Sequence, residues 1–309
     1  MPIPATAAPW RFLEVLTMNK RFSDGIKLLL LSALTAVAQA APRVATSDWT
    51  IAETLTAMGH PPVSVADRRV YDVWVNHPPL PQSVKEAGLR FQPNLERLHQ
   101  IKPDFFVQSP WFAAAKPQFE KIAPVYELDF STPAGITYAH TLQTTRKLGK
   151  LVGDAPAAEK LIRDTETLFA QTAPKLAKYR KRPLAVVQFS DGRHLRIYGK
   201  TSVFQVVMDK LGLKNAWTGA SNNWGFENIT LVDLVKLPPD TLLVIVKPHP
   251  QNTRKTLENS ALWQRLPFVQ PANRRVFAPT WSLGALPSMQ LFAKQLAAQM
   301  PSENKEGAW

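Results

Sequence analysis

A chain of 309 residues with 45% hydrophobic residues can bury one large core or two ordinary ones, which excludes a disordered chain. It contains no cysteine, so the fold rests on packing, with neither disulfides nor a lipid-bearing cysteine. Its formal charge of +13 is spread along the chain, densest at 175–182, which describes a soluble basic surface and not a nucleic-acid-binding stripe.

Lys20, Arg21 and Lys27 lead into the apolar run 28–37, and Ala38, Gln39 and Ala40 follow as a small-x-small site. This predicts a secretory signal over residues 1–40, its apolar part too short to span a bilayer, with translation starting at Met18 and the mature protein at Ala41. The leader carries four basic and two acidic side chains, so the mature chain keeps a charge of about +11. Export with neither disulfide nor lipid suits a soluble periplasmic protein.

From there the pattern predicts a strand at 43–47, a helix at 50–58 stopped by Gly59, a strand at 63–66, a loop, and a helix at 94–101 stopped by Pro103. A strand at 105–108, a helix at 116–122 and a strand at 125–128 follow. Strands alternating with helices predict an α/β lobe over 41–150 with a largely parallel sheet. Helices at 138–153 and 156–180 come next, the second with an apolar stripe of Leu161, Leu168, Leu176 and Tyr179. Some 24 residues reach roughly 36 Å, so 151–182 reads as one long connecting helix. A second α/β lobe occupies 183–309: strands at 184–190 and 194–199, a helix at 202–211 stopped by Gly212, a helix at 231–237, a strand at 242–246, a helix around 254–265, a strand near 275–277 and a terminal helix at 286–300.

No G-x-G-x-x-G, Walker A loop or G-x-S-x-G elbow occurs. The six histidines show neither H-x-x-x-H spacing nor clustering with carboxylates, and no nucleophile with a positioned base is legible, so no catalytic residue and no metal ligand is expected. The loops carry rings instead: Trp74 in VWVNHPPLP, Trp111 and Phe112 in QSPWFAAAKP, Trp217 in NAWTG, Trp224 in SNNWGF and Trp281 in PTWSLG. Rings on Pro-, Asn- and Gly-rich loops of both lobes suit the wall of an amphipathic ligand site. Arg90 sits on a loop between Leu89 and Phe91 with no acid beside it in sequence, and reads as the polar centre of that wall. In HLRIYG, period two puts His194, Arg196 and Tyr198 on one face, which is either solvated or turned into the cleft, where Arg196 adds a second cation.

These stretches resemble the periplasmic ferrichrome- and hydroxamate-siderophore-binding proteins of iron ABC importers over nearly the whole mature length. GLRFQPNLERL (88–98) and WVNHPPLPQSV (74–84) carry most of the likeness, with KPDFFVQS, RHLRIYGKTSVFQ, LGLKNAWTG, NNWG and PTWSLGA beside them. The resemblance implies two α/β lobes joined by a single long helix, with ligand in an aromatic-rich cleft between the lobes. It places the family's cleft arginine at Arg90 and its tryptophans at Trp74, Trp217, Trp224 and Trp281, with Asn222 in the NNWG match. Phe112 stands where the family has a tyrosine, so that hydroxyl is lost. Arg196 replaces an apolar residue, and Ser282 and Leu283 replace aromatics. The wall is therefore less aromatic and more cationic, which turns the expectation toward a ligand with an additional negative group over neutral ferrichrome. Iron enters only as the ferric siderophore, with no cofactor.

The implied partners are that ligand and an inner-membrane ABC permease with its ATPase, met by a monomer through one acid on each lobe, Glu96 and Asp233. Either acid can equally serve the helix in whose first turn it lies. The same fold holding a catecholate or citrate siderophore, haem or cobalamin is the alternative, and an exported siderophore-modifying hydrolase a more distant one.

Overall fold

The computed structural model describes residues 41–301, so the predicted leader lies outside the described residues. Strands β1 (Val44–Thr46), β2 (Ser64–Val65), β3 (Lys85–Glu86), β4 (Phe105–Gln108) and β5 (Val125–Glu127) form a parallel sheet in the order β3-β2-β1-β4-β5. β1 is buried on both faces, as a parallel sheet covered by helices requires. Helix α1 (Trp49–Ala57) starts where the Asp48 carboxylate accepts the N–H groups of Thr50 and Ile51, and it stops before Gly59, whose φ of +85° suits only glycine well. Helices α2 (Arg68–Trp74), α3 (Leu95–Ile101) and α4 (Lys116–Phe119) complete this half. Asn94 caps α3 by accepting the Arg97 N–H.

After α5 (Tyr138–Leu151) and α6 (Ala155–Thr172), the chain builds a second sheet from β6 (Leu184–Phe189), β7 (His194–Tyr198), β8 (Phe226–Thr230), β9 (Leu242–Val246) and β10 (Arg274–Phe277). Its order is β10-β9-β6-β7-β8, with β7 antiparallel to both neighbours and the other pairs parallel. Helices α7 (Val203–Leu211), α8 (Thr253–Glu258) and α9 (Leu286–Gln299) belong to this half of the chain.

The helix expected over 156–180 is shorter. It ends at Thr172, because Pro174 supplies no N–H and its ring crowds the preceding turn, and the chain goes on as a 3-10 turn at Ala177–Tyr179. Its 18 residues reach about 27 Å. Its apolar face is packed into the core. One apolar cluster takes Ile51 and Leu55 from α1, Leu161 and Phe169 from α6, Phe204 from α7 and Phe292 from α9, together with strand residues of both sheets.

Smaller departures have local causes. The helices expected at 116–122 and 254–265 contract to α4 and α8, and 231–237 is a 3-10 turn, Leu231–Lys236, with Leu237 forced extended before Pro238. Helix α2 was expected as loop: its N-cap Asp67 is left-handed (φ 51°), offers no side-chain cap, and only Tyr71 is buried. Strands β3 and β8 were also not expected, the first being two residues long and exposed or half-buried.

A polar seam ties α1 to the start of α9. The Trp281 indole N–H donates to Thr50 Oγ1 (3.0 Å), which donates to the Leu283 carbonyl (3.0 Å). Glu53, with no exposed surface, accepts the Ala285 N–H and the Ser288 hydroxyl at 2.6 Å each. Ala285 has no capping side chain of its own, so Glu53 caps α9 from another helix. Burial pushes the Glu53 pKa up to about 8, against its hydrogen bonds. The folded state thus holds a proton that the unfolded chain releases near 4.5, so this stability is whole below pH 4.5 and is lost as pH rises through about 8. Glu53→Gln stays neutral and keeps both partners. It is expected to melt with the wild type at pH 5 and several degrees above it at pH 9; equal melting temperatures at both pH values would remove Glu53 from the seam's energetics.

Candidate functional site

Loops leaving the carboxyl ends of all five strands of the first sheet converge on one cavity of about 440 Å³. Residues 48–50 follow β1, Asp67 follows β2, Arg90 and Phe91 follow β3, Ser109 and Trp111 follow β4, and 129–131 follow β5. That is where open α/β sheets take ligands, and the volume lies in the ~300–1,000 Å³ range of small-molecule sites. The far wall comes from the other half of the chain: Arg196 on β7, Asn223 and Trp224 before β8, Phe226 at its start, and 281–283 after β10.

Arg90 is the polar centre, and its surroundings explain its place. Gly88 turns the chain with φ +91°, where a Cβ would meet the Asn94 nitrogen at 2.6 Å. The turn lets the Arg90 N–H donate to Asp67 Oδ2 (3.0 Å) and its Nε donate to the Ser47 carbonyl (3.2 Å). The guanidinium lies 4.5 Å from the Trp49 ring centre, 5.4 Å from Phe112 and 5.5 Å from Trp281. Burial presses its pKa below the usual guanidinium value, and the charges of Asp48 and Asp67 oppose that. The acid missing beside Arg90 in sequence is thus supplied in space.

Of the other expected residues, Trp74, Trp111, Arg196, Trp224, Trp281 and Ser282 line the cavity. Trp111 and Trp224, each about 40% exposed, meet edge to face across it with ring centres 3.8 Å apart. The Arg196 guanidinium lies 4.6 Å over Phe226, so the β7 face does turn into the cleft at that position. Tyr198, on the same face, is buried behind the wall, donates to Gln188 Oε1 (3.1 Å) and packs on Phe204 and Phe226. His194 is exposed at the far end and pairs with Asp191 at 2.9 Å.

Like Tyr198, three more expected residues do not reach the lining. Phe112 is buried and stacks on Phe91, because the 3-10 turn Pro110–Ala115 sends Trp111 outward and its neighbour inward. Trp217 packs against the second sheet's apolar cluster and donates its indole N–H to the Ala220 carbonyl. Asn222 accepts the Trp224 and Phe226 N–H groups, which orders the loop while its neighbour Asn223 faces the cavity.

Sequence reasoning missed Trp49, Asp48, Asp67, Ser109, Asp129 and Phe130; the signal available was their position one to three residues beyond a strand's carboxyl end. Among the described residues no three His, Asp or Glu side chains stand together as a metal site. Glu96 is exposed in the first turn of α3. Asp233 is locally engaged: it accepts the Thr230 N–H (2.9 Å) and meets Lys236 at 2.7 Å, contacts that bring its pKa down to about 2.

Comparison with known proteins agrees with this architecture. The family model described as periplasmic binding protein matches residues 44–279. The chain is 31% identical to the iron(3+)-hydroxamate-binding protein FhuD of Escherichia coli (strain K12), across 82% of this chain and 85% of that one. It is 27% identical to the Fe(3+) dicitrate-binding periplasmic protein FecB of the same organism, across 78% of each. The solved structure of Fe3+-Desferal-bound siderophore-binding protein FhuD from Vibrio cholerae matches with a TM-score of 0.76 at 24% identity, covering 86% of this chain and 100% of that one, which shows the same fold.

Proposed function

The chain belongs to the periplasmic binding protein family, and from that membership we propose that it captures a ferric hydroxamate siderophore in the periplasm and delivers it to an inner-membrane ABC permease with its ATPase. The observation that carries this reading is Arg90. It is a guanidinium set against aromatic rings in the lining of a cavity of about 440 Å³ and held there through its Nε.

In a ferric hydroxamate the oxygens around iron carry partial negative charge, and a planar fork of N–H donors suits them. The rings accept the apolar linkers of the chelator, and Phe91 in the lining helps keep water from the hydrogen bonds. Iron already wrapped in its chelator asks for no protein ligand. The protein then recognises the outside of the complex and acts as a carrier, with no bond made or broken.

Arg90→Ala is expected to weaken binding of a ferric hydroxamate by about 2 kcal/mol, and far more than Arg90→Lys, which keeps the charge. Tryptophan fluorescence titration measures both, since the cavity holds five indoles; equal affinity for wild type and Arg90→Ala would overturn the site. For delivery, Glu96 and Asp233 are the proposed docking acids. Glu96→Arg with Asp233→Arg is expected to leave siderophore affinity intact while abolishing iron uptake in cells, because reversed charges repel cognate permease cations. Since Asp233 also serves a local cap, Glu96→Arg alone is the cleaner arm, and normal uptake by it would move docking elsewhere.

A further inference from the structure

The cavity's charges are not balanced by what a neutral ferric hydroxamate offers. Asp48, Asp67 and Asp129 line it against two guanidiniums, Arg90 and Arg196. Asp48 and Asp67 already serve Arg90, one by its charge and the other also by accepting its N–H. Asp129 stands apart. Its Oδ1 accepts the N–H and the hydroxyl of Ser131 at 2.8 Å each, His140 bonds only its backbone carbonyl, and among the described residues its carboxylate forms no ion pair. Asp129 is half-buried, so its carboxylate is accessible from the cavity to a cationic ligand group.

A second observation lies on the adjacent strand end. The Ser109 hydroxyl is buried, lines the same cavity and has no hydrogen-bond partner among the described residues. β4 and β5 are paired in parallel with Gln108 opposite Glu127, so Ser109 and Asp129 follow the carboxyl ends of neighbouring strands. The rings of Trp111, Phe130 and Trp224 line the same cavity, and ring faces attract cations and repel carboxylates. This runs against the anionic arm expected from Arg196 alone, since an added carboxylate meets three acids for two guanidiniums.

Resting on the reading of the site as a ferric hydroxamate pocket, we propose that it selects a hydroxamate siderophore bearing a cationic, primary-ammonium arm, with Asp129 as the counter-ion and Ser109 as a further acceptor. Arg90 then faces the iron-bound oxygens, and Asp129 reads the periphery. No covalent step is involved.

The test compares two ferric complexes with the same iron centre: ferrioxamine B, a linear trishydroxamate ending in a primary ammonium, and its N-acetyl derivative, in which that end is neutral. Fluorescence titration of the wild type at low and high salt is expected to give tighter binding of the ammonium form by about threefold to tenfold, shrinking as salt rises. Asp129→Asn keeps an acceptor for Ser131 and is expected to bring the two ligands within about twofold of each other, with the N-acetyl affinity unchanged. Equal binding of both ligands by the wild type would overturn the ammonium site alone, and needs no variant. A preference that survives in a normally melting Asp129→Asn would overturn Asp129 as its counter-ion. Failure of both ligands to bind would overturn the hydroxamate reading and this inference with it.

Discussion

Two sheets that share no strand enclose a cavity of defined shape only if something fixes one against the other. Here α1 does so. Its apolar face enters a cluster shared with α6, α7 and α9, and its polar edge is sewn to residues 281–288 by Thr50 and Glu53. Every buried polar group in that seam has its partner, and in a low-dielectric setting that makes the seam specific as well as cohesive. Trp281 takes part twice. Its indole N–H closes the seam on Thr50, and its ring forms part of the floor beneath Arg90, 5.2 Å from Trp49. What holds the halves together is therefore also what shapes the site.

The same economy governs Arg90. A half-buried guanidinium needs acceptors and neighbouring negative charge, and it finds them in Asp67, the Ser47 carbonyl and Asp48, the last already capping α1. The side chain is held before any ligand arrives, so little rotamer freedom remains to be lost on binding. Pre-organisation of this kind favours a ligand whose oxygens sit in a fixed array.

Much of this was legible in the chain because the signals were local. The largely apolar runs of β6 and β9, the caps Asn94 and Gly212, and the alternation of strands and helices follow from spacing alone. Pro174 was equally visible, yet the apolar stripe continuing past it suggested one long helix; the missing N–H decided the matter. Indoles on turn-rich loops stood out, and Trp74, Trp111, Trp224 and Trp281 do line the cavity. Trp217 has the same local signature and lies elsewhere, packed beside Gly219 on the second sheet, because which way a loop ring turns is a tertiary outcome. The acids were invisible for the opposite reason. Asp48 reads as a helix cap and Asp129 as an ordinary polar loop residue, and only the convergence of five strand ends gives them a common role.

That convergence separates what must stay constant from what can vary. The strands, α1 and the seam set the distance between the two walls, and a change there shifts the whole cavity. The residues just beyond each strand end carry little of the core, so they can exchange a ring for a charge at small cost to stability. Ser282 beside Trp281 and Asp129 after β5 are of this second kind, and Arg196 on β7 faces the same cavity. On the proposed function the iron centre presents the same oxygens whatever the chelator's periphery, and Arg90 on its aromatic floor answers them. Discrimination between cargoes then falls to the outer residues, which meet the part of the ligand that differs. A carrier built this way changes its cargo without rebuilding its fold.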